Sequence, residues 1–250
     1  MSEISIRAEE LFKIGNLPVT NSVLLGWITL VMLLVLAFFL KNNLSLIPGK
    51  LQSVFELVTE EILKLMDSVL GNRYISIRYF PLIATIFLFV LASNWMGLLP
   101  GVGSIGIFHH LEGGKESTLI PLFRAPSADL NFTIALATIS VLSVNLLGVM
   151  AIGFFKHFSK FFNFSNPISF FTGVLEFISE FVKIVSFSFR LFGNVFAGEV
   201  LLVIVAFLFP YVIPVPFLFL EIFVGFIQAL IFSMLTLVFV GIATSVEASH

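Results

Sequence analysis

The chain has no cysteine, and only 11% of its 250 residues are Asp, Glu, Lys or Arg. The absence of cysteine excludes a disulfide framework and a thiolate metal site. The shortage of charge excludes an ordinary soluble domain, in which about a quarter of the residues are charged. The sequence has no cluster of basic residues of the kind that would indicate binding to nucleic acid. What the chain has is apolar, with 58% hydrophobic residues and 32 phenylalanines. This composition predicts an all-α polytopic membrane protein.

The first 22 residues mix acidic and basic side chains. This mixture is typical neither of a cationic signal peptide nor of an acid-poor transit peptide, so we expect the mature protein to keep this segment, outside the membrane. Residues 23–40 follow without a charge. They are long enough to form the first upright transmembrane helix.

Residues 49–71 have a different pattern. From Leu51 to Val69 the apolar residues recur at steps of three and four, while the opposite face carries acids, amides and Lys64. This period predicts an amphipathic helix. Such a helix suits the membrane surface; the alternative is a helix of a small soluble lobe. We favour the surface because no other soluble material surrounds the segment.

The rest of the chain predicts two helical hairpins. Residues 80–155 contain two apolar spans joined by a polar loop. Residues 170–244 form a longer hairpin, whose turn we place at Pro210, Pro214 and Pro216. Residues 170–209 are too long for one upright crossing, since forty residues extend about 60 Å, and the returning helix from Phe217 to Thr244 is a second overlong helix. We therefore expect this hairpin to be tilted, and we treat residues 1–250 as a single domain.

The positive-inside rule sets the orientation of these spans. With the N-terminus outside, the inner segments hold more Lys and Arg than the outer segments. The inner residues are Lys41, Lys50, Lys64, Arg73, Arg78, Lys156 and Lys160, and the outer ones are Arg7, Lys13, Lys115 and Arg124. This bias predicts an outer N-terminus and a cytoplasmic C-terminus.

Arg190 is the least expected residue, because it lies inside the long apolar run near the C-terminus. Arginine keeps its proton at any accessible pH, and placing it at mid-membrane costs about 2.5–3.5 kcal/mol on insertion scales. One interpretation is that the side chain reaches to an interface. We favour a fixed positive charge that faces a moving carboxylate.

Four other polar residues accompany Arg190. Asn194 is four positions later and shares its helical face. Glu199 lies on the opposite side of that helix, and Glu221 on the returning helix has a similar predicted depth. Two such carboxylates do not readily ionise together, which favours a proton path, although a structural hydrogen-bonded contact is the alternative. Asn194 and Gln228 either belong to this path or simply tie helices together.

The inner end of the same helix carries Glu176, Glu180 and Lys183. These residues either sit in lipid headgroups and water or line an aqueous opening on the inner side. The histidines of the loops, His109, His110 and His157, are expected to be solvated. We predict no metal site there, because no set of ligands accompanies them.

Five segments stand out along the chain: PGKLQ at 48–52, NWMGLLP at 94–100, SADLN at 127–131, RLFGN with AGE within 190–199, and QALIF at 228–232. Together they resemble subunit a of the bacterial F-type ATP synthases. The resemblance implies a membrane-parallel helix at the first segment. It also implies a C-terminal hairpin packed against a rotating ring of c subunits.

The resemblance also implies roles for residues. Arg190 would be the stator arginine that deprotonates ring carboxylates and separates two offset half-channels. Glu199 and Glu221 would line the outer half-channel, with Asn194 and Gln228 near the arginine. Some family members carry histidine where this chain has Glu221, which leaves the route through that half-channel open.

The implied partners are the c-ring, the peripheral-stalk b subunits, membrane lipid and, indirectly, the F1 sector. The subunit would be non-catalytic and need no cofactor. It would have no nucleotide site, and the sequence contains no phosphate-binding G-x-x-x-x-G-K-[ST] loop.

Two other function classes compete with this interpretation. In a self-contained secondary transporter Arg190 would bind an anionic substrate. Such proteins usually show internal repeats and paired broken helices, and the sequence shows neither. An intramembrane hydrolase would need a nucleophile beside a base or metal ligands. Ser186, Ser188 and Ser233 have no histidine near them in sequence, which disfavours that class.

Overall fold

The computed structural model describes residues 8–15, 17–102, 105–110, 117–159, 161, 167–210 and 212–244. Within these residues the chain forms seven α-helices, a 3-10 turn at Pro126–Ala128 and two β-hairpins. Five helices are long and apolar enough to cross a membrane, which confirms the predicted all-α multi-pass fold. Arg7, Lys115 and Lys160, which contribute to the predicted orientation, lie outside the described residues.

The first hairpin leads directly into the first span. It pairs β1 (Glu10–Ile14) with β2 (Leu17–Thr20), and α1 (Asn21–Asn42) follows. Thr20 caps the helix, because its hydroxyl accepts a hydrogen bond from the amide of Val23 at 3.4 Å. α1 contains the predicted span and extends it by two residues at each end.

α2 (Lys50–Leu70) is the predicted amphipathic helix. Its residues Ile62, Leu63 and Met66 are buried, whereas its acidic residues lie on other faces. Gly71 ends the helix in the left-handed conformation, with φ of 68°, which glycine adopts without strain. The location of α2 at the membrane surface stays a prediction.

α3 (Arg73–Met96) begins seven residues before the predicted start. The charge at its first turn disfavours a span, but Arg73 is paired with Glu60 at 2.9 Å and with Asp67 at 2.8 Å on α2. Asn72 caps the helix by accepting a hydrogen bond from a first-turn amide. These contacts let the helix extend beyond the apolar run.

The next helices are separated by a second hairpin and a sharp turn. β3 (Gly106–His110) pairs antiparallel with β4 (Ser117–Pro121), and α4 (Leu130–Ile152) follows. Gly153, with φ of 85°, then turns the chain into the short helix α5 (Phe154–Ser159). The predicted third span included the start of α5. It is interrupted because glycine permits this turn.

α6 (Pro167–Leu208) and α7 (Pro214–Thr244) are the two overlong helices of the C-terminal hairpin. With 42 residues, α6 has a length of about 63 Å, roughly twice the hydrocarbon thickness. Pro210 lies in the turn, as predicted. Pro214 and Pro216 instead lie in the first turn of α7, where proline removes no helical hydrogen bond. The tilt of the hairpin stays a prediction.

The chain divides into two compact units. The first contains the described residues of Met1–Leu46, Leu88–Thr133 and Arg190–Ala229. The second contains those of Ile47–Phe87, Ile134–Phe189 and Leu230–His250. Val90, Ala128 and Leu191 are fully buried in the first unit, and Met66 and Ile83 are fully buried in the second. The single domain 1–250 stays a prediction.

Candidate functional site

Arg190 lies on α6 and is exposed on the surface of the first unit. It forms no hydrogen bond or ion pair with any residue that the structure describes. Since a guanidinium is always charged, the side chain presents a full positive charge on a helix that is long enough to cross the membrane. The cation is available to a partner from outside the chain.

Asn194, one turn after Arg190, connects α6 to α7. Its Nδ2 atom donates to Oε1 of Gln228 at 2.7 Å. Gln228 is buried, and its Nε2 group has no hydrogen-bond acceptor within the described part of the chain. The two amides therefore do tie the helices together. Their participation in proton transport stays a prediction.

Glu221 on α7 is buried against α6. Its carboxylate occupies the space beside Gly198, where a Cβ atom would overlap both carboxylate oxygens. Only glycine, which has no Cβ, leaves room for the acid at this point. Because Glu199 is the next residue on α6, the two predicted acids are held at neighbouring positions of the hairpin.

Glu199 forms an ion pair that the sequence analysis missed. Its Oε2 atom lies 3.8 Å from Nε of Arg124, and the Arg124 side chain is 9% exposed against 37% for Glu199. The Arg124 guanidinium also lies 6.0 Å from the centroid of the Phe196 ring. The sequence places Arg124 in a polar loop, and nothing in the local pattern signals that this loop returns to α6.

Arg124 also acts on a second carboxylate, that of Glu9. Burial raises the pKa of Glu9, and the positive charge of Arg124 partly offsets this rise. The segment is fixed by its backbone, since the Glu9 carbonyl accepts a hydrogen bond from the amide of Asn21 at 3.1 Å. The charge of the buried Arg124 therefore acts on a carboxylate of the N-terminal segment and on one of α6.

The NWMGLLP segment holds α7 beside the acids. Asn94 donates from Nδ2 to the carbonyl of Gly225 at 3.0 Å, and Trp95 donates from Nε1 to the carbonyl of Ile222 at 3.1 Å. Both carbonyls lie within about one turn of Glu221. The end of α3 therefore fixes the part of α7 that carries this acid.

The SADLN segment fixes the loop that carries Arg124. Asp129 is 4% exposed, and its two oxygens accept hydrogen bonds from Oγ of Ser22 at 2.6 Å and from the amide of Asn131 at 2.9 Å. Asn21 donates from Nδ2 to the carbonyl of Pro121 at 3.2 Å. The start of α1 is thereby bonded to both sides of Arg124 along the sequence.

The predicted inner residues lie in the second unit. Glu176 is exposed, while the carboxylate of Glu180 is mostly buried and accepts from Nζ of Lys183 at 2.8 Å. Asn145 of α4 donates to the other oxygen of Glu180 at 3.0 Å. Lys183 is the i+3 neighbour of Glu180 on the same helix, whereas the contact with Asn145 joins two different helices and was not predicted.

The prediction that His157 is solvated is wrong, because the residue is 1% exposed. After Gly153, α5 folds back onto α4, and the imidazole is covered. The hydrophobic pattern gives no sign of this reversal; the glycine at the end of α4 was the available signal. The side chains of His109 and His110 are outside those that the structure describes.

Comparison with known proteins gives a consistent result. The family model described as ATP synthase A chain matches residues 23–241. ATP synthase subunit a of Moorella thermoacetica is 31% identical over 236 residues, which covers 94% of this chain and 96% of the relative. The subunit a of Gloeobacter violaceus is 34% identical over 242 residues, with coverages of 96% and 90%. That of Helicobacter pylori strain P12 is 32% identical over 247 residues, with coverages of 96% and 98%.

These matches reach from α1 to α7. They outweigh the alternative predictions of a secondary transporter and an intramembrane hydrolase, for which the site offers no supporting contact among the described residues. All three relatives are bacterial multi-subunit synthase components by name. The chain therefore belongs to the ATP synthase A chain family, the proton-translocating stator subunits of the Fo sector.

Proposed function

We propose that Arg190 is the stator arginine and faces the carboxylates of a rotating ring of c subunits. The observation that carries this proposal is the exposed Arg190 on a candidate span, without a partner among the described residues. An unpaired arginine in lipid costs about 2.5–3.5 kcal/mol, so this position suits an anion supplied by a neighbouring chain. Membership of the family supports a ring carboxylate as that anion.

Arg190 acts through its charge. Because it does not release its proton, a carboxylate that approaches it is stabilised as the anion and gives up its own proton. The same charge opposes the direct passage of protons between two offset half-channels. The membrane potential supplies about 2.3 kcal/mol per charge per 100 mV, and ring rotation couples that energy to ATP synthesis in the F1 sector.

The outer half-channel is formed by Glu199 and Glu221, with Asn194 and Gln228 near the arginine. Three contacts support this assignment: the Glu221 carboxylate against Gly198, the Asn194–Gln228 hydrogen bond, and the ion pair of Glu199. Polar groups buried between membrane helices are typical of ion and proton pathways. Where some family members have histidine, Glu221 keeps a titratable group in the path.

The inner half-channel opens near Glu176 and Glu180 at the start of α6. The exposed position of Glu176 and the hydrogen-bonded carboxylate of Glu180 support this assignment. The N-terminus lies outside and the C-terminus in the cytoplasm, as the lysine and arginine bias favours. The peripheral-stalk b subunits hold the chain stationary against the ring.

The test is proton transport in inverted membrane vesicles that contain the assembled synthase. We expect Arg190→Ala to abolish ATP-driven acidification of the vesicles, and Arg190→Lys to lose most of it, because a lysine ammonium is a shorter and more strongly hydrated cation. Arg78→Ala is the matched control. Arg78 is also an exposed arginine on a candidate span, and its guanidinium lies 5.8 Å from the Tyr79 ring.

We expect the control to acidify the vesicles at the normal rate. Normal acidification by Arg190→Ala, at a normal amount of assembled enzyme, would rule out the proposed role. Vesicles stripped of F1 give a second readout. There the loss of Arg190 is expected to allow passive proton leakage, because the charge that separates the half-channels is gone.

A further inference from the structure

His157 is a buried polar residue that has no role in the proposed mechanism. It lies on α5 and is 1% exposed. The ring lies directly over Gly148 of α4, since a Cβ atom at that position would be 2.7 Å from Cε1 of His157. The rings of Phe158 and Phe161 flank it at centroid distances of 5.9 and 6.2 Å. The imidazole is therefore held in one orientation by an apolar surround.

The polar edge of this ring points at Asn145 on α4. His157 Nε2 and Asn145 Oδ1 are 3.0 Å apart. The Asn145 amide nitrogen donates to the carbonyl of Val141 at 3.0 Å and to Oε2 of Glu180 at 3.0 Å. Because both amide hydrogens are used, Oδ1 is the acceptor, and Nε2 of His157 carries the hydrogen that it receives.

The arm formed by His157 and Asn145 ends on a carboxylate. Glu180 receives the Asn145 amide on Oε2 and the Lys183 ammonium on Oε1 at 2.8 Å. Lys183 is itself placed over the Phe239 ring of α7, 4.6 Å from its centroid. One donor on each oxygen, from two different helices, leaves the carboxylate little freedom to rotate.

We propose that His157 is a positioning residue for proton transfer at Glu180: through Asn145, it holds this carboxylate in place at the inner half-channel. The proposal rests on the proposed function, because it takes Glu180 as part of the inner proton path. His157 donates to the Asn145 oxygen, whereas the Asn145 nitrogen is shared between the Val141 carbonyl and Glu180, so the imidazole decides which end of the amide faces the carboxylate. Without the imidazole donor, the Asn145 amide can turn over, and Glu180 then loses the Asn145 donor on Oε2.

The competing explanation is that the contacts from His157 through Asn145 to Glu180 only hold helices together, because amides and histidines often join membrane helices. The two explanations differ in what they change. Loss of a helix tie reduces the amount of assembled synthase. Misplacement of Glu180 changes the turnover of each assembled complex, and it changes how turnover depends on the pH of the inner side. Among the described residues, the charged and titratable groups near Glu180 include Lys183 and, one helical turn earlier, Glu176 on α6, and His157 on α5. Asn145 on α4 and Phe239 on α7 are uncharged.

The experiment measures ATP-driven proton pumping in inverted vesicles, per assembled synthase, across a series of outer-medium pH values that correspond to the inner side of the cell. We expect His157→Leu to lower pumping by at least about tenfold, since a misplacement of about 1 Å at a reacting group can cost up to about 100-fold. We also expect its pH profile to shift. Asn145→Leu should reproduce both effects, and the double variant should be no worse than Asn145→Leu alone.

His157→Gln is the rescue variant, because its amide can donate to Asn145 Oδ1 in place of Nε2. We expect it to restore the pH profile and most of the rate. Ser143→Ala is the matched control. Ser143 is two residues from Asn145 on α4, and its hydroxyl bonds the carbonyl of Ile139 in its own helix at 2.7 Å. We expect this control to pump normally.

The outcomes separate the two layers of the proposal. If Glu180→Gln leaves the rate and pH profile unchanged, the assignment of the inner half-channel is wrong, whatever the His157 variants do. If Glu180→Gln impairs pumping while assembled His157→Leu and Asn145→Leu pump normally, the positioning role is overturned. Failure of both leucine variants to assemble would assign the arm to folding and overturn it equally.

Discussion

Gly198 on α6 and Glu221 on α7 fit each other so closely that a side chain at position 198 and the carboxylate of Glu221 exclude one another. We expect Gly198→Ala to destabilise the chain purified in detergent and to lower its melting temperature. Forcing extra atoms into a packed contact typically costs about 1–3 kcal/mol. The same change should slow ATP-driven proton pumping, because the displaced acid lies in the proposed outer half-channel.

Gly193→Ala is the matched control for this change. Gly193 lies five residues earlier on the same helix, and a Cβ atom there meets no atom within 4 Å. Replacing glycine by alanine in a helix stabilises it by about 0.5–1 kcal/mol when space allows, so the melting temperature should rise or stay constant. Equal destabilisation by both variants would show that the contact with Glu221 is not the cause.

Because the Glu9 carboxyl is partly buried, we expect the free energy of unfolding of the chain to depend on pH. Burial raises its pKa above the ordinary value of 4.5, so the folded chain binds this proton more tightly than the unfolded chain. The free energy of unfolding then falls as the pH rises above about 4.5, and the loss is complete above the folded pKa. We expect Glu9→Gln to raise the melting temperature at neutral pH and to leave it unchanged at about pH 4.

The measurement is thermal unfolding of the purified chain in detergent between about pH 4 and pH 8. Glu10→Gln serves as the control, because Glu10 is exposed and lies 3.9 Å from Lys13 in a solvated pair, which contributes little. A Glu9→Gln variant that is no more stable than the parent at pH 8 would contradict the prediction.

The ion pair of Arg124 and Glu199 predicts non-additive effects. We expect Arg124→Gln and Glu199→Gln each to slow proton pumping, and the double variant to be no slower than the more impaired single variant. Residues in contact typically couple by about 0.5–3 kcal/mol. The control cycle uses Lys64 and Glu61 on α2, which are 2.8 Å apart but both 58% exposed, and should show almost no coupling. Losses that simply add for Arg124 and Glu199 would show that the two side chains act independently.

Much of the fold follows from local sequence patterns. The amphipathic helix α2 follows from steps of three and four between apolar residues, and the long helices follow from uncharged runs. The pairing of Glu180 with Lys183 follows from a spacing of three on one helix. The early start of α3 does not follow from such patterns, because the charge of Arg73 is compensated by acids on another helix.

The site shows the same division. The positions of Arg190 and Asn194 on α6 can be predicted from a spacing of four, since helical periodicity relates neighbouring turns. The contact of Arg124 with Glu199 joins residues 75 positions apart, and no periodic pattern reports such a separation. Burial of His157 depends on one reversed turn at Gly153. Tertiary contacts of this kind need the backbone before they can be seen.

The proposed orientation can be tested against a clean background, because the chain contains no cysteine. Val212 lies in the turn between α6 and α7 and is 78% exposed, and Leu46, between α1 and α2, is fully exposed. In right-side-out vesicles we expect a membrane-impermeant maleimide to label Val212→Cys directly, because the bias of lysine and arginine puts that turn outside. Leu46→Cys should be labelled only after permeabilisation. Leu237→Cys, at a fully buried position, controls for nonspecific reaction and should stay unlabelled before and after permeabilisation. Direct labelling of Leu46→Cys together with protection of Val212→Cys would invert the topology, and with it the assignment of Glu199 and Glu221 to the outer half-channel.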